Sequence, residues 1–386
     1  MQVGVKKNIT TLRDCYGCGI CTRVCPVNII TLEENSSGFY QPIIKEQEKC
    51  IECGLCLKTC GFNHKISQTA DCEFYIGWSK DVETRHICSS GGIAHEILKY
   101  GVRHGFYVTS TTYDTLNARA VFKITDSMGE LMSYVGSKYI PSRIQEALRD
   151  INIRKKNILI GLPCQIDSLR RMLRQYRCEE NFILVDFFCH GVPSLKLWDK
   201  YLYYIKCKIG NIEDISWRNK DQGWKRSYCI KSRGTHGECS SRALDGDLFF
   251  KFFLGNYCLN NCCYDSCQYK QTNSAADIRL GDCWGTSTAN PDEGVSGIVV
   301  FSEKGKHLIN ELSQTCEITE VTASEVLNGQ MKKPAARPLI QPLVAQALYT
   351  NKSITAIYKQ IIKPYELLWI LPQRIFRKIL GVTHLR

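Results

Sequence analysis

Two runs of cysteine constrain this chain more than anything else in it. The first reads Cys15-Tyr-Gly-Cys18-Gly-Ile-Cys21-Thr-Arg-Val-Cys25-Pro26, and the second Cys50-Ile-Glu-Cys53-Gly-Leu-Cys56-Leu-Lys-Thr-Cys60. Each is a C-x2-C-x2-C-x3-C run, the spacing of paired [4Fe–4S] sites in which the fourth cysteine of one run ligates the other cluster. The spacing therefore assigns one cluster to Cys15, Cys18, Cys21 and Cys60, and a second to Cys50, Cys53, Cys56 and Cys25. Gly17, Gly19 and Gly54 let each loop fold back closely enough for three thiolates to reach one cluster. A structural zinc site would use two C-x2-C pairs across a longer spacer, and the runs here are too dense for that.

With 386 residues the chain exceeds the usual size of a single unit. Its 44% hydrophobic and 23% charged content is that of an ordinary soluble protein. Twenty-two cysteines, behind a start (Met1-Gln-Val-Gly-Val-Lys-Lys) that lacks an apolar leader, point to metal-bound thiolates in a reducing cytoplasm. The formal charge of +12 omits the negative charge of clusters. No basic helix interleaved with aromatics accompanies it, so nucleic acid is not expected as a partner; a face for an acidic electron carrier such as a ferredoxin is.

The pattern divides into residues 1–66, a ferredoxin-like α+β unit; residues 73–330, an α/β unit with a mixed, largely parallel sheet; and residues 331–386, a basic tail interrupted by proline. Strands are expected at 29–32 and 40–44, with a linker from Asn63 to Asp71. Strands follow near 74–78, 106–112 and 120–124. The apolar runs Asn157–Ile160 and Phe182–Phe188 read as strands buried on both faces, joined by a helix from Gln165 to Arg177 as a parallel βαβ unit. Further helices are expected at 92–103, 194–209 and 245–254, strands at 212–218, 228–232 and 277–280, and a strand and helix over 297–312. The tail from Asn351 carries seven Lys or Arg against one acid. It is open to a membrane-surface role or to a helix folded back on the body.

Four short motifs place cysteine or glycine where strands end: Ser89-Ser90-Gly91-Gly92, Gly161-Leu-Pro-Cys164-Gln165, Phe188-Cys189-His190-Gly191-Val-Pro193, and the loop containing Cys258, Cys262, Cys263 and Cys267. The segment Ala276-Asp277 to Gly285 comes soon after. Cys164 and Cys189 each follow a buried strand and are expected to open a helix at the carboxyl edge of the sheet, where ligands bind in open α/β folds. A nearby cysteine pair could complete a third four-thiolate site. Cys72, Cys178, Cys207, Cys229, Cys239 and Cys316 read as small buried hydrophobes.

Taken with Gly136-Ser137-Lys138-Tyr139, these motifs resemble the coenzyme F-420 hydrogenase/dehydrogenase beta-subunit family from Thr11 to about Phe301, including the two-cluster N-terminal unit found in some members. The resemblance implies a non-Rossmann α/β body that binds FAD, with a [4Fe–4S] cluster beside it. It implies Cys164, Cys189, Cys263 and Cys267 as the third cluster's ligands, although the family's late pair is one residue shorter, which leaves Cys258 and Cys262 as substitutes. For the flavin it implies Ser89, Ser90, Gly91 and Gly92 at a helix start, where backbone N–H groups favour a pyrophosphate, and Ser137, Lys138 and Tyr139, a compensating charge and an aromatic surface. His190 is then either a proton donor near the flavin or a hydrogen-bonded neighbour of a ligand.

The activity so implied is an iron–sulfur flavoprotein oxidoreductase that passes electrons to a two-electron acceptor. That acceptor is a deazaflavin or another small molecule, and some relatives accompany polysaccharide biosynthesis. The alternative is a non-catalytic electron-transfer subunit serving a partner enzyme.

Overall fold

A computed structural model describes residues 7–66, 71–284 and 291–372. Parts of the expected linker and tail, together with Gly285, lie outside these residues.

Strands β1 (Ile30–Glu34) and β2 (Tyr40–Ile44) form an antiparallel hairpin that turns through Ser36-Ser37-Gly38. The other strands are β3 (Glu73–Ser79), β4 (Tyr107–Asp114), β5 (Arg119–Thr125), β6 (Ser142–Arg143), β7 (Asn157–Ile160), β8 (Phe182–Phe187), β9 (Ile212–Arg218), β10 (Tyr228–Gly234), β11 (Gly237–Arg242), β12 (Ile278–Asp282), β13 (Ser296–Val300) and β14 (Cys316–Glu320). A nine-stranded sheet runs β14-β3-β13-β12-β8-β7-β4-β5-β6, and β11-β10-β9 form a separate antiparallel sheet. The pairs β4/β7, β7/β8 and β8/β12 are parallel, as is the edge pair β5/β6. The pairs β4/β5, β12/β13, β13/β3 and β3/β14 are antiparallel. The parallel character expected from the apolar runs thus belongs to the four contiguous central strands.

The central strands are parallel because β7 (Asn-Ile-Leu-Ile) and the middle of β8 are buried on both faces, which only a sheet covered by helices allows. The helix Pro163–Gln175 joins them. Pro163 opens it, where a missing N–H costs nothing, and the Gln165 side chain accepts the Leu162 N–H at 2.9 Å. Leu195–Ile209 is capped by Ser194, and Leu248–Leu254 by Asp247.

Residues 7–66 share one apolar core with the body: Ile9, Ile20, Val24 and Ile30 pack with Leu148, Leu159, Ile166 and Leu169. Of the cysteines expected to be buried, Cys178, Cys229 and Cys316 are, whereas Cys207 is exposed on the outer side of its helix and Cys72 and Cys239 are half-buried.

One ion pair lies wholly inside the sheet. Arg279 on β12 faces Asp186 on β8 in register, with Nε and Nη2 each 2.7 Å from a carboxylate oxygen and both side chains fully buried. Removing one partner of such a pair leaves an uncompensated buried charge, which typically costs about 3–5 kcal/mol. We expect Asp186→Ala to lower the thermal midpoint by that order of destabilisation, with a smaller loss for a Trp or Phe substitution at exposed Leu116. An unchanged melting curve for Asp186→Ala would show that the pair contributes nothing.

Candidate metal centres and the adjoining cavity

The eight cysteines of the two runs fall into two groups, and the grouping crosses between the runs. Burial raises Cys15 to about 12, with the charges of Cys18 and Cys60 adding to it. Burial likewise raises Cys21, helped by Cys18, Cys15, Cys60 and Cys56. Cys60, raised to about 11 by burial, is next affected by Cys18 of the other run. Cys25, Cys50, Cys53 and Cys56 together line one small cavity with Pro26 and Ile51. Gly19 and Gly54, at φ +75° and +70°, begin the short helices that carry Cys21 and Cys56; only glycine enters that region freely.

A third group forms where β7 and β8 end. Cys164 is the second residue of the Pro163–Gln175 helix. Cys189 follows β8 but opens no helix: the chain runs on through Pro193, bridged to Leu259, before Leu195 starts the next one. Burial raises the Cys164 thiol well above its usual value, and the neighbouring charges that raise it further are Cys18, Cys189, Cys263 and Cys267. Cys263, pushed up to about 12 by burial, is affected next by Cys189. Its Sγ also accepts the Val192 N–H at 3.4 Å. Burial raises the Cys262 thiol, with the charge of Cys15 as the next largest cause, and Cys258 packs in the core with Leu259. Among the described residues no three His, Cys, Asp or Glu side chains stand close enough to hold a single metal ion. Sulfurs on one zinc ion would each lie about 2.3 Å from it.

Ser168, one helical turn beyond Cys164, joins the first group to the third. Its hydroxyl lies 3.4 Å from Cys18 Sγ and accepts the Gly61 N–H at 3.0 Å. Tyr16, inside the first cysteine run, donates from its hydroxyl to Ser266 O at 2.9 Å and packs edge-on against Phe62 and Tyr269. Gln268 Nε2 donates to Gly61 O and His64 O.

Beside Cys189 opens a cavity of about 350 Å³. Ser89, Ser90, Gly92, Ser137, Lys138, Tyr139 and His190 all line it. Gly91 does not; its N–H is taken by Ser296 Oγ at 3.0 Å, and a Cβ there would meet the Ser296 backbone nitrogen at 2.8 Å. Neither serine caps the helix Ile93–Arg103. Gly92 is its N-cap at φ +91°, Ser90 Oγ donates to Val295 O, and Ser89 Oγ accepts from the Ser137 N–H at 2.9 Å. The expected charge at Lys138 is reduced: burial lowers it to about 7, and its Nζ donates to Tyr134 O and Val135 O. His190 Nε2 lies 2.7 Å from Asn256 Oδ1, and burial lowers the ring to about 4, so it is neutral at ordinary pH.

Residues 154–325 match the family model for the C terminus of the beta subunit of coenzyme F420 hydrogenase/dehydrogenase, and residues 14–64 match a 4Fe-4S dicluster domain. The first match covers less than half of the chain, and over it the chain resembles this beta-subunit family. A curated relative, the coenzyme F420-dependent sulfite reductase of Methanocaldococcus jannaschii, is 28% identical over 160 residues, 41% of this chain and 25% of the relative. The chain thus spans about a quarter of that relative's length. A chain of the F420-reducing [NiFe] hydrogenase complex from Methanosarcina barkeri aligns over 76% of this chain and 91% of its own, at 14% identity and a TM-score of 0.46, too low to bear on the fold.

The cavity also has walls that sequence reasoning missed. Arg218, at the end of β9, bridges Asp282 (3.0 Å), Tyr139 OH (3.1 Å) and Ser89 O (3.0 Å), and its guanidinium lies over the Tyr228 ring at 4.2 Å. Burial alone would lower Arg218, but Asp282, Tyr139 and Tyr228 together outweigh it and the net shift is upward. Trp284 stacks on Trp224 at 4.7 Å. Burial raises the Cys189 thiol, and Lys270, whose Nζ donates to Cys189 O at 2.6 Å, offsets only part of that rise. Arg218 and Lys270 stand in no recognisable motif. Only Asp282 and Trp284 fall within one of the motifs, the segment that ends at Gly285.

Gly61 offers a test of the junction. A Cβ there would meet Asp167 Oδ2 at 2.6 Å, Tyr269 OH at 2.7 Å and Ser168 Oγ at 3.0 Å. Such overpacking typically costs about 1–3 kcal/mol. Gly61→Ala should therefore lower the thermal midpoint and speed proteolysis near residue 66, and a variant as stable and as resistant as the parent would show that the junction yields freely.

Proposed function

We propose that the chain is an iron–sulfur flavoprotein oxidoreductase in which electrons pass from the two ferredoxin-type clusters through a third cluster to FAD. In this reading residues 1–66 receive electrons, residues 73–330 hold the third cluster and the flavin, and residues 331–386 are an appended tail. The observation that carries it is the continuity of the three cysteine groups with the cavity. Cys56 influences Cys21, Cys18 influences Cys164, and Cys189 lines the cavity itself.

The residues present fit the proposed cofactors. Cys15, Cys18, Cys21 and Cys60 would hold one cubane, Cys25, Cys50, Cys53 and Cys56 the second, and Cys164, Cys189, Cys263 and Cys267 the third. Tyr139, Tyr228 and Trp284 give the cavity flat aromatic walls, and Ile93 and Ala94 bring the start of an eleven-residue helix to its edge. Backbone N–H groups at a helix start favour a pyrophosphate.

When bound, a flavin supplies the conversion between one-electron and two-electron transfer. The chain's own residues orient and shield. Arg218 ties Tyr139, Asp282 and the Ser89 carbonyl into one wall, and Lys270 sets a positive charge behind Cys189. His190, neutral and held by Asn256, acts as a hydrogen-bonding neighbour of Cys189.

A second reading, an electron-transfer subunit serving a partner enzyme, is favoured by one observation: the chain matches only 25% of its curated relative. In either case the outer redox partner would be a ferredoxin or similar carrier, with a deazaflavin or another small molecule as acceptor, in the cytoplasm.

Anaerobically purified protein should contain about twelve irons, four for each four-cysteine site, and about one acid-released FAD. Cys189→Ser should remove about four of those irons while the signals of the other two clusters persist. Stoichiometric zinc without labile sulfide, or full iron retention in Cys189→Ser, would overturn the assignment. Turnover of a small acceptor by the isolated chain with reduced methyl viologen would distinguish the enzyme from the subunit.

A further inference from the structure

Lys270 is only 7% exposed, yet no acid meets it. Its Nζ donates to Cys189 O at 2.6 Å and His190 O at 3.2 Å and lies 3.9 Å from Met331 Sδ, and none of these carries a charge. Asp186, on the strand that leads to Cys189, is spent on Arg279 at 2.7 Å. Among the described residues no Asp or Glu side chain pairs with Lys270, and the sequence outside them contains neither residue type. An ammonium taken out of water is costly unless an opposite charge meets it.

The opposite charge available to it is on sulfur. Burial raises the Cys189 thiol, and Lys270 is the first charge to oppose that rise; burial also raises Cys263, again with Lys270 in opposition. Four thiolates around a cubane leave the site negative, and reduction adds one more negative charge. A cation fixed beside the site therefore stabilises the reduced form more than the oxidised one and raises the potential. The first group stands among charges of the other sign. Burial is the largest cause there too, and the acids that add to it are Asp14 at Cys15 and Asp167 at Cys18 and Cys60. Asp167 is partly offset by Arg171 at 3.2 Å.

On the three-cluster reading above, we propose that Lys270 is the built-in counter-ion of the third cluster and holds its potential above that of the first, so that an electron comes to rest beside the cavity. One electron leaves the first cluster as one enters the third, and no proton need accompany it. The direction of flow follows: residues 1–66 donate and the cavity receives. Lys270 acts through its charge on the cluster that Cys189 would hold, and is thus a positioning residue.

The test is a redox titration of the full chain, purified anaerobically with its iron and followed by electron paramagnetic resonance, with the third cluster's signal identified by its loss in Cys189→Ser. In the parent the third cluster should be reduced at a higher potential than the first. Lys270→Met should keep about twelve irons and shift the third cluster's reduced-to-oxidised ratio at least about tenfold toward the oxidised form, about 59 mV downward for one electron. The other two clusters should stay where they were, and Lys270→Arg should restore the parent value. Met331→Glu places a carboxylate where Met331 Sδ approaches Nζ, and it should lower the same potential with Lys270 in place; this variant decides the matter if Lys270→Met holds only about eight irons. An unmoved third potential in an iron-replete variant, or a parent whose first cluster is reduced before the third, would overturn the proposal alone. A parent with about eight irons would overturn it together with the three-cluster reading.

Discussion

The buried pair of Asp186 and Arg279 is the interaction on which the arrangement at the sheet edge depends. Asp186 is on the strand that delivers Cys189, and Arg279 is on the neighbouring strand that leads to Asp282. Arg279 spends its remaining donors on Tyr269 O (3.2 Å) and Gln271 O (2.6 Å), while Asp186 accepts from Ser274 Oγ at 2.6 Å. Two charges that could not be buried singly are satisfied only if the loop from Tyr269 to Ser274 lies across the ends of both strands. That placement brings Cys267 and Lys270 to Cys189. Desolvation of one ion pair thus fixes where a long irregular loop must sit.

A similar economy governs the junction with the first sixty residues. Ser168 and Asp167 lie one turn beyond Cys164 on the same helix, and through Gly61, Tyr269 and Cys18 they set that helix against the cysteine runs. The shared apolar core of Ile20, Val24, Ile166 and Leu169 supplies the burial that keeps the polar contacts in register. Electron transfer between buried centres requires short, rigid separations, and a helix that carries a thiol at its first turn and the docking hydroxyl at its second meets that requirement without a flexible linker.

What could be read from the residues alone follows from how local each signal is. Eight cysteines announced themselves because their spacing is set by reach around a cluster within a few residues. Strands β7 and β8 were visible because continuous apolar runs of that length have few other uses. In contrast, β11 (Gly-Glu-Cys-Ser-Ser-Arg) and β14 (Cys-Glu-Ile-Thr-Glu) carry too few apolar residues to stand out; pairing with β10 and β3 makes them strands. The loop cysteines could not be ranked because their choice depends on a fold between residues far apart. There Cys263 and Cys267 fall among the charges felt by Cys164, while Cys258 enters the core and Cys262 approaches Cys15. Ser89-Ser90-Gly91-Gly92 looked like a capped helix start, yet both hydroxyls are engaged elsewhere, with Val295 and Ser137.

The charge balance of the cavity bears on what it can hold. Of its cationic groups, Lys138 is lowered to about 7 by burial and directs its Nζ at carbonyls of the preceding turn, and Arg218 is neutralised by Asp282 at 3.0 Å. Little free positive charge is left to attract a small oxyanion, whose dehydration would have to be offset by just such charge. Flat aromatic surfaces dominate instead, with Tyr139 stacked near Tyr228 at 5.9 Å and Trp284 beyond it at 6.2 Å. A planar heteroaromatic ring gains from such walls through apolar burial and stacking, while Asp282, the Ser89 carbonyl and the guanidinium offer its polar edge both acceptors and donors. The electrostatics of the wall therefore suit a planar heteroaromatic ring better than an inorganic anion in the same space.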